Sequence, residues 1–141
     1  MATVLFVCKA NRGRSVMSQA LFERAAGGRH RAISAGSEAV AEGGPHPEVA
    51  EAMRELGIDV AAQRPQRLTI ELAARADAVI TMGCGDACPH VPGKKQLRAD
   101  WDLPDPKDRP LEEVRATRDD IDRRVRALVA ELDGAAAARS G

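Results

Sequence analysis

The chain has 141 residues, enough for one domain whose core needs no disulfide or metal staple. Lysine plus arginine and aspartate plus glutamate each number 21, so the formal net charge is zero. A general nucleic-acid or membrane-surface binder would lack its global electrostatic pull at that balance. No apolar run nears about 18 residues and the start lacks a cationic-then-apolar leader, so no membrane span is expected and the cytoplasm is the expected location. Three cysteines, an odd number, suit a reducing compartment and reactive thiols better than a disulfide framework.

In chain order, "TVLFVC" (3–8) is a continuous β-branched and apolar run, as in a strand buried on both faces. A short polar loop follows, then a helical pattern through "SVMSQALFERAA" that stops at Gly27 and Gly28. "RAISAG" (31–36) reads as a second strand. "PEVAEAMRELG" (47–57) has proline at its start, Val49, Met53 and Leu56 on one face and glycine at its end, which predicts a helix. A third helix fits 68–76 with Thr69 as N-cap, a third strand fits 77–82 and a weaker fourth fits 95–101. The last helix is expected over about 110 to 132, with Val114, Ile121, Val125, Leu128 and Leu132 on its apolar side. The expected organisation is therefore a single domain over 1–133 and a flexible C-terminal tail over 134–141. Strands alternating with helices predict an α/β fold, a four-stranded parallel sheet with helices on both faces.

The chemistry concentrates in the first loop. Cys8 closes the first strand, and Lys9, Ala10, Asn11, Arg12 and Gly13 separate it from Arg14 and Ser15. Ligands collect beyond the carboxyl ends of parallel strands. A loop leaving a strand there and feeding a helix can aim backbone N–H groups and the helix dipole at one tetrahedral oxyanion. The same field favours the thiolate of Cys8, the nucleophilic form. Arg14 can grip two oxyanion oxygens at once, and Ser15 can donate to the sulfur. The substrate-binding candidates are thus Lys9, Ala10, Asn11, Arg12, Gly13, Arg14 and Ser15. Asn11 is expected to shape the loop through side-chain bonds, and Arg12 either strengthens anion attraction or points to solvent.

The C-x5-R-S loop directly after the first strand resembles the low-molecular-weight protein tyrosine phosphatase superfamily, including its arsenate reductase branch. "ISAGSEA" (33–39), "HPEVAEAMRELGID" (46–59), "DAVITMGC" (77–84) and "DWDLPDP" (100–106) resemble family segments in the family's order. The resemblance implies a phosphatase-like fold in which Cys8 attacks phosphorus or arsenic, Arg14 stabilises the oxyanion and Asp105, in the Asp-Pro loop, is the general acid. It also implies no potassium site, because Gln19 stands where some members carry a potassium-binding glutamate. His46 receives no catalytic role.

Arsenate reduction and phosphoester hydrolysis share the first step, and the electron count separates them. Hydrolysis of a phosphocysteine needs one cysteine and water, whereas reduction of As(V) to As(III) takes two electrons and hence a second thiol. Cys84 and Cys88 supply two more thiols just past the third strand. If strands one and three are neighbours, about 5 Å apart, Cys84 lies at the same sheet edge as Cys8, and Cys88, one helical turn on, could resolve a Cys8–Cys84 disulfide. A metal site on these cysteines with His90 or His46 lacks a second ligand pair at zinc spacing, and no metal is expected. Resemblance to the reductase branch implies an external thiol donor, thioredoxin or mycothiol, with no bound cofactor. Scarce aromatics argue in the same direction, because a phosphotyrosine pocket needs an apolar, preferably aromatic, wall. The expectation is an arsenate reductase that forms a Cys8–arsenic intermediate, acting in arsenic detoxification. The alternative is a phosphatase acting on phosphotyrosine or small phosphoesters.

Overall fold

The computed structural model describes residues 1–40, 42–82, 92–93 and 95–140. Cys84, Cys88 and His90 lie outside the described residues. The elements run β1 (Thr3–Cys8), α1 (Arg14–Ala26), β2 (Arg31–Gly36), α2 (Pro47–Arg54), α3 (Ile70–Ala74), β3 (Ala78–Thr81), β4 (Leu97–Asp100) and α4 (Leu111–Ser140). The strands form one parallel sheet in the order β2-β1-β3-β4. From β1 the chain therefore moves outward to β2 on one side and later to β3 on the other. The carboxyl end of β1 is the point where the two directions part, and a ligand crevice opens there in such sheets.

Alternation along β1 explains why helices cover both faces. Val4, Phe6 and Cys8 point to one side, into a core with Val16, Met17, Leu21, Met53, Ile121 and Val125 from α1, α2 and α4. Leu5 and Val7 point to the other, against Val79 and Ala73 of α3. Phe6 makes an edge-on contact with Phe22 at 5.6 Å between centroids and a tilted one with Trp101 at 5.9 Å. The chain has only two phenylalanines, one tryptophan and no tyrosine, and all three rings belong to this larger core.

Local signals hold where the chemistry is local. Gly27 takes the left-handed conformation that ends α1, and its N–H donates to the Glu23 carbonyl. The Thr69 hydroxyl accepts from the Leu72 N–H at 3.1 Å and starts α3. Helix α2 stops at Arg54, shorter than expected, and the turn that follows closes at Gly57 with φ of 77°. At the other end of the chain the helix runs longer than expected. Residues 134–140, read from sequence as a flexible tail, continue α4 to Ser140. Four consecutive alanines, the strongest helix formers, carry it past Gly134.

Candidate active site

The loop of residues 9–13 sits at the carboxyl end of β1 between two clamps. On one side the Ser37 N–H donates to the Cys8 carbonyl at 3.0 Å and the Glu38 N–H to the Lys9 carbonyl at 2.8 Å. Gly36 permits this approach: a Cβ there would lie 2.7 Å from the Lys9 carbonyl oxygen and 2.9 Å from the Ala10 carbonyl carbon. On the other side the His46 N–H donates to the Arg12 carbonyl at 3.0 Å. Asn11, with φ of 57°, supplies the left-handed turn. Its side-chain carbonyl accepts from the Gln66 N–H at 2.9 Å and its amide donates to Ser15 Oγ at 2.8 Å. Asn11 is 2% exposed, so this residue holds the loop's shape from beneath.

Cys8 Sγ and Ser15 Oγ stand 2.9 Å apart in the buried floor. Because Asn11 already donates to Ser15 Oγ, the hydroxyl proton is free to point at the sulfur. A hydroxyl so placed can donate to the sulfur. Among the described residues the backbone N–H groups of Ala10, Asn11, Arg12 and Gly13 donate to no protein acceptor. Donors left open around the Cys8 sulfur at a helix N-terminus are what a tetrahedral anion requires.

Arg14 opens α1 and is buried, with one guanidinium nitrogen donating to the Leu103 carbonyl at 3.2 Å and another 3.8 Å from Asp105 Oδ2. Its Nε is buried with no partner among the described residues. An unpartnered buried donor costs about 1–3 kcal/mol, which a bound oxyanion would recover. Asp105 is half exposed, and its Oδ1 accepts from the Lys107 N–H at 3.0 Å, a turn that orients the carboxylate. Pro106 packs directly on Gly13, where a Cβ would stand 2.6 Å from Pro106 Cγ. The Asp-Pro loop is therefore seated on the oxyanion loop itself.

Together these groups wall a cavity of about 320 Å³ lined by Cys8, Lys9, Ala10, Arg12, Gly13, Arg14, His46, Asp105 and Lys107. The structure brings Cys8, Arg14, Ser15 and Asp105 together, as the loop spacing and the family segments led one to expect. Arg12 is no solvent-bound side chain: its Nε donates to the Gly44 carbonyl at 2.7 Å, leaving the rest of the guanidinium at the rim. Lys9 is more exposed and pairs with Glu38 at 3.5 Å. His46, given no role from sequence, stands in the cavity wall. Gln19 spends its side-chain oxygen on Ser34 at 2.6 Å and Gln63 at 2.7 Å. Among the described residues no Phe, Tyr or Trp side chain lines the cavity.

The second-thiol expectation can be followed as far as the end of β3. That strand pairs directly with β1, Val7 opposite Thr81, and the Met82 N–H donates to the Val7 carbonyl at 2.8 Å. Cys84 is two residues further along the chain and Cys88 four beyond that, both outside the described residues.

Residues 3–138 match the family described as low molecular weight phosphotyrosine protein phosphatase. Among solved structures the chain is similar to a thioredoxin-dependent arsenate reductase of Corynebacterium glutamicum, at 37% identity and a TM-score of 0.78. It covers 96% of this chain and 63% of that longer one. A Synechocystis protein named glutaredoxin arsenate reductase is 32% identical over 94% of this chain and 99% of its own length. An arginine phosphatase of Geobacillus stearothermophilus has a TM-score of 0.81 at 26% identity, covering 95% of this chain and 94% of its own.

Proposed function

The chain belongs to the low-molecular-weight phosphotyrosine protein phosphatase family, and from that premise we propose that it is an arsenate reductase. The observation that carries this reading is the lining of the cavity over Cys8: ringed by Lys9, Arg12, Arg14 and Lys107, and without a Phe, Tyr or Trp wall. All three aromatic rings of the chain are committed to the core, so none can close on a phosphotyrosine. Similarity to proteins named arsenate reductase supports the same choice.

In the proposed reaction the Cys8 thiolate attacks arsenic while Arg14 and the open loop amides hold the other oxygens. One arsenate oxygen leaves as water, taking its proton from Asp105. A second thiolate, Cys84, then attacks Cys8 Sγ. The sulfur–arsenic bonding pair passes to arsenic, which departs as arsenite, and a Cys8–Cys84 disulfide remains. Attack by Cys88 on Cys84 moves the disulfide to Cys84–Cys88 and frees Cys8. An external thiol donor finally reduces it: thioredoxin in this relay, or mycothiol if a small thiol takes the place of Cys84. β3 supports the relay by delivering the chain to within two residues of Cys84 beside Cys8.

Arsenite formation from arsenate by the fully reduced protein tests the proposal, with thioredoxin, glutaredoxin and mycothiol systems run in parallel. Turnover with thioredoxin alone supports the three-cysteine relay, and turnover with mycothiol alone assigns the second thiol to an external molecule. Folded protein that forms no arsenite with any donor, yet hydrolyses an aryl phosphate or phosphoarginine, would make it a phosphatase.

A further inference from the structure

His46 occupies the N-cap position of α2, where Ser, Thr, Asp or Asn usually turns its side chain back onto the helix. Here the side chain makes no such cap bond. Its backbone is used instead: the N–H donates to the Arg12 carbonyl, and the Arg12 Nε returns a bond to the Gly44 carbonyl. Those two bonds stitch residues 44–46 to the oxyanion loop and hold the imidazole in the wall of the Cys8 cavity. The ring edge lies against Gly13, with Cδ2 3.6 Å from where a Cβ on Gly13 would stand. Among the described residues neither ring nitrogen has a hydrogen-bond partner. The half-buried imidazole therefore stands in the wall of an anion cavity with neither nitrogen bonded to a described residue.

We propose that His46 is a further oxyanion-binding residue, which takes up a proton when a doubly charged oxyanion enters and donates to it as the imidazolium. The charged groups around it explain why the proton arrives with the ligand. Burial and the neighbouring Arg12 guanidinium hold His46 below its ordinary value, and Lys107 adds to this, while Asp105 and Glu48 oppose. The ring is thus neutral at neutral pH. A bound dianion offsets Arg12 and raises the proton affinity of the ring, so one extra donor appears only when there is an anion to receive it. The sign follows: binding raises the affinity of His46 for its proton, and the anion is held more tightly as pH falls.

This inference rests on the cavity being an oxyanion site, and inorganic phosphate, which needs no redox partner, separates the two. Isothermal titration calorimetry of the reduced full chain with phosphate near pH 7, in two buffers of different ionisation enthalpy, counts protons taken up. Protons arising from phosphate, Cys8 and Asp105 are common to wild type and variants, so the difference belongs to His46. His46→Asn retains a favoured N-cap residue and His46→Gln approximates the ring's reach, so folding is preserved and checked by circular dichroism. Both variants should take up fewer protons than wild type and bind phosphate about tenfold more weakly near pH 6.5, the loss expected for one charge-assisted bond. The deficit should shrink toward pH 9, where the imidazole is neutral in both states. Equal proton uptake and a pH-independent deficit would overturn the role of His46 while leaving the oxyanion site intact. No phosphate binding by wild type would overturn both.

Discussion

At the scale of single residues, the site depends on a few positions where no other side chain would serve. Ser15 is one, because its hydroxyl stands 2.9 Å from the Cys8 sulfur. Ser15→Ala should lower kcat by about 10- to 100-fold, the equivalent of a 1.5–3 kcal/mol bond to a charged acceptor. KM for arsenate should change less, and steady-state kinetics of arsenite formation reads both. Gly36 is another. A methyl group there would meet backbone of residues 9 and 10, which cannot swing aside as a flexible side chain can. Gly36→Ala should destabilise the fold by roughly 1–3 kcal/mol, read from thermal unfolding, and cost activity out of proportion to that. The pairing of Cys8 with Arg14 was legible from sequence because both lie in one short loop. Asp105 was legible only through its family segment, since 91 residues separate it from Arg14. His46 was not legible at all: what puts its ring in the cavity wall is a backbone bond from residue 46 to residue 12 and a bond from the Arg12 side chain to the Gly44 carbonyl, and neither leaves a local pattern around His46 in the sequence.

At the scale of elements, two contacts of α4 set its place. Near its start Glu55, just past α2, accepts from Arg115 Nε at 2.9 Å and Arg118 Nη1 at 2.8 Å. The Arg115 and Arg118 bonds pull the Glu55 carboxyl down to about 2 from its ordinary 4.5. A carboxylate depressed on folding adds stability above its unfolded value and loses it as pH falls through the folded one. Acid unfolding should therefore lose this contribution between about pH 5 and pH 2, and Glu55→Gln should flatten stability across that window. A variant whose acid profile matched wild type would remove Glu55 from the clamp. Near the other end His30, buried beside Phe22, accepts from the Ala2 N–H at 3.1 Å and meets Asp133 at 2.8 Å. The last helix was legible in its apolar face but not in its length. The alanine-rich stretch from Gly134 read as a frayed tail, whereas alanine propensity sustains the helix to Ser140. Gly134 has open space around its Cβ position, so Gly134→Ala should stabilise by about 0.5–1 kcal/mol and raise Tm. No change would indicate that the segment beyond α4's buried turns does not unfold with the domain.

At the scale of the whole molecule, topology decides which loops can cooperate. Placing β1 between β2 and β3 brings the loop after β1, the turn after β2 and the exit of β3 to one edge. The alternation of strands and helices made the parallel sheet legible, and the apolar runs 3–8 and 77–82 marked the two strands buried deepest. The order β2-β1-β3-β4 had no local signature. Only the adjacency of the first and third strands entered the sequence reading, as a condition for Cys84 to approach Cys8, and the direct β1–β3 pairing meets that condition. Phe6, Phe22 and Trp101 all pack in the core, so the cavity at this edge is lined by Lys9, Arg12, Arg14 and Lys107 rather than by a Phe or Trp ring.

The most direct test of the central claim is a comparison of two activities in Cys84→Ser, with arsenite formation measured beside hydrolysis of an aryl phosphate, both set against Cys8→Ser. Cys8→Ser should abolish both, whereas Cys84→Ser should abolish thioredoxin-supported arsenite formation and leave whatever hydrolysis the wild type shows. Undiminished thioredoxin-supported arsenite formation by Cys84→Ser would contradict the relay, and wild-type protein that hydrolyses the ester but never yields arsenite would contradict the reductase itself.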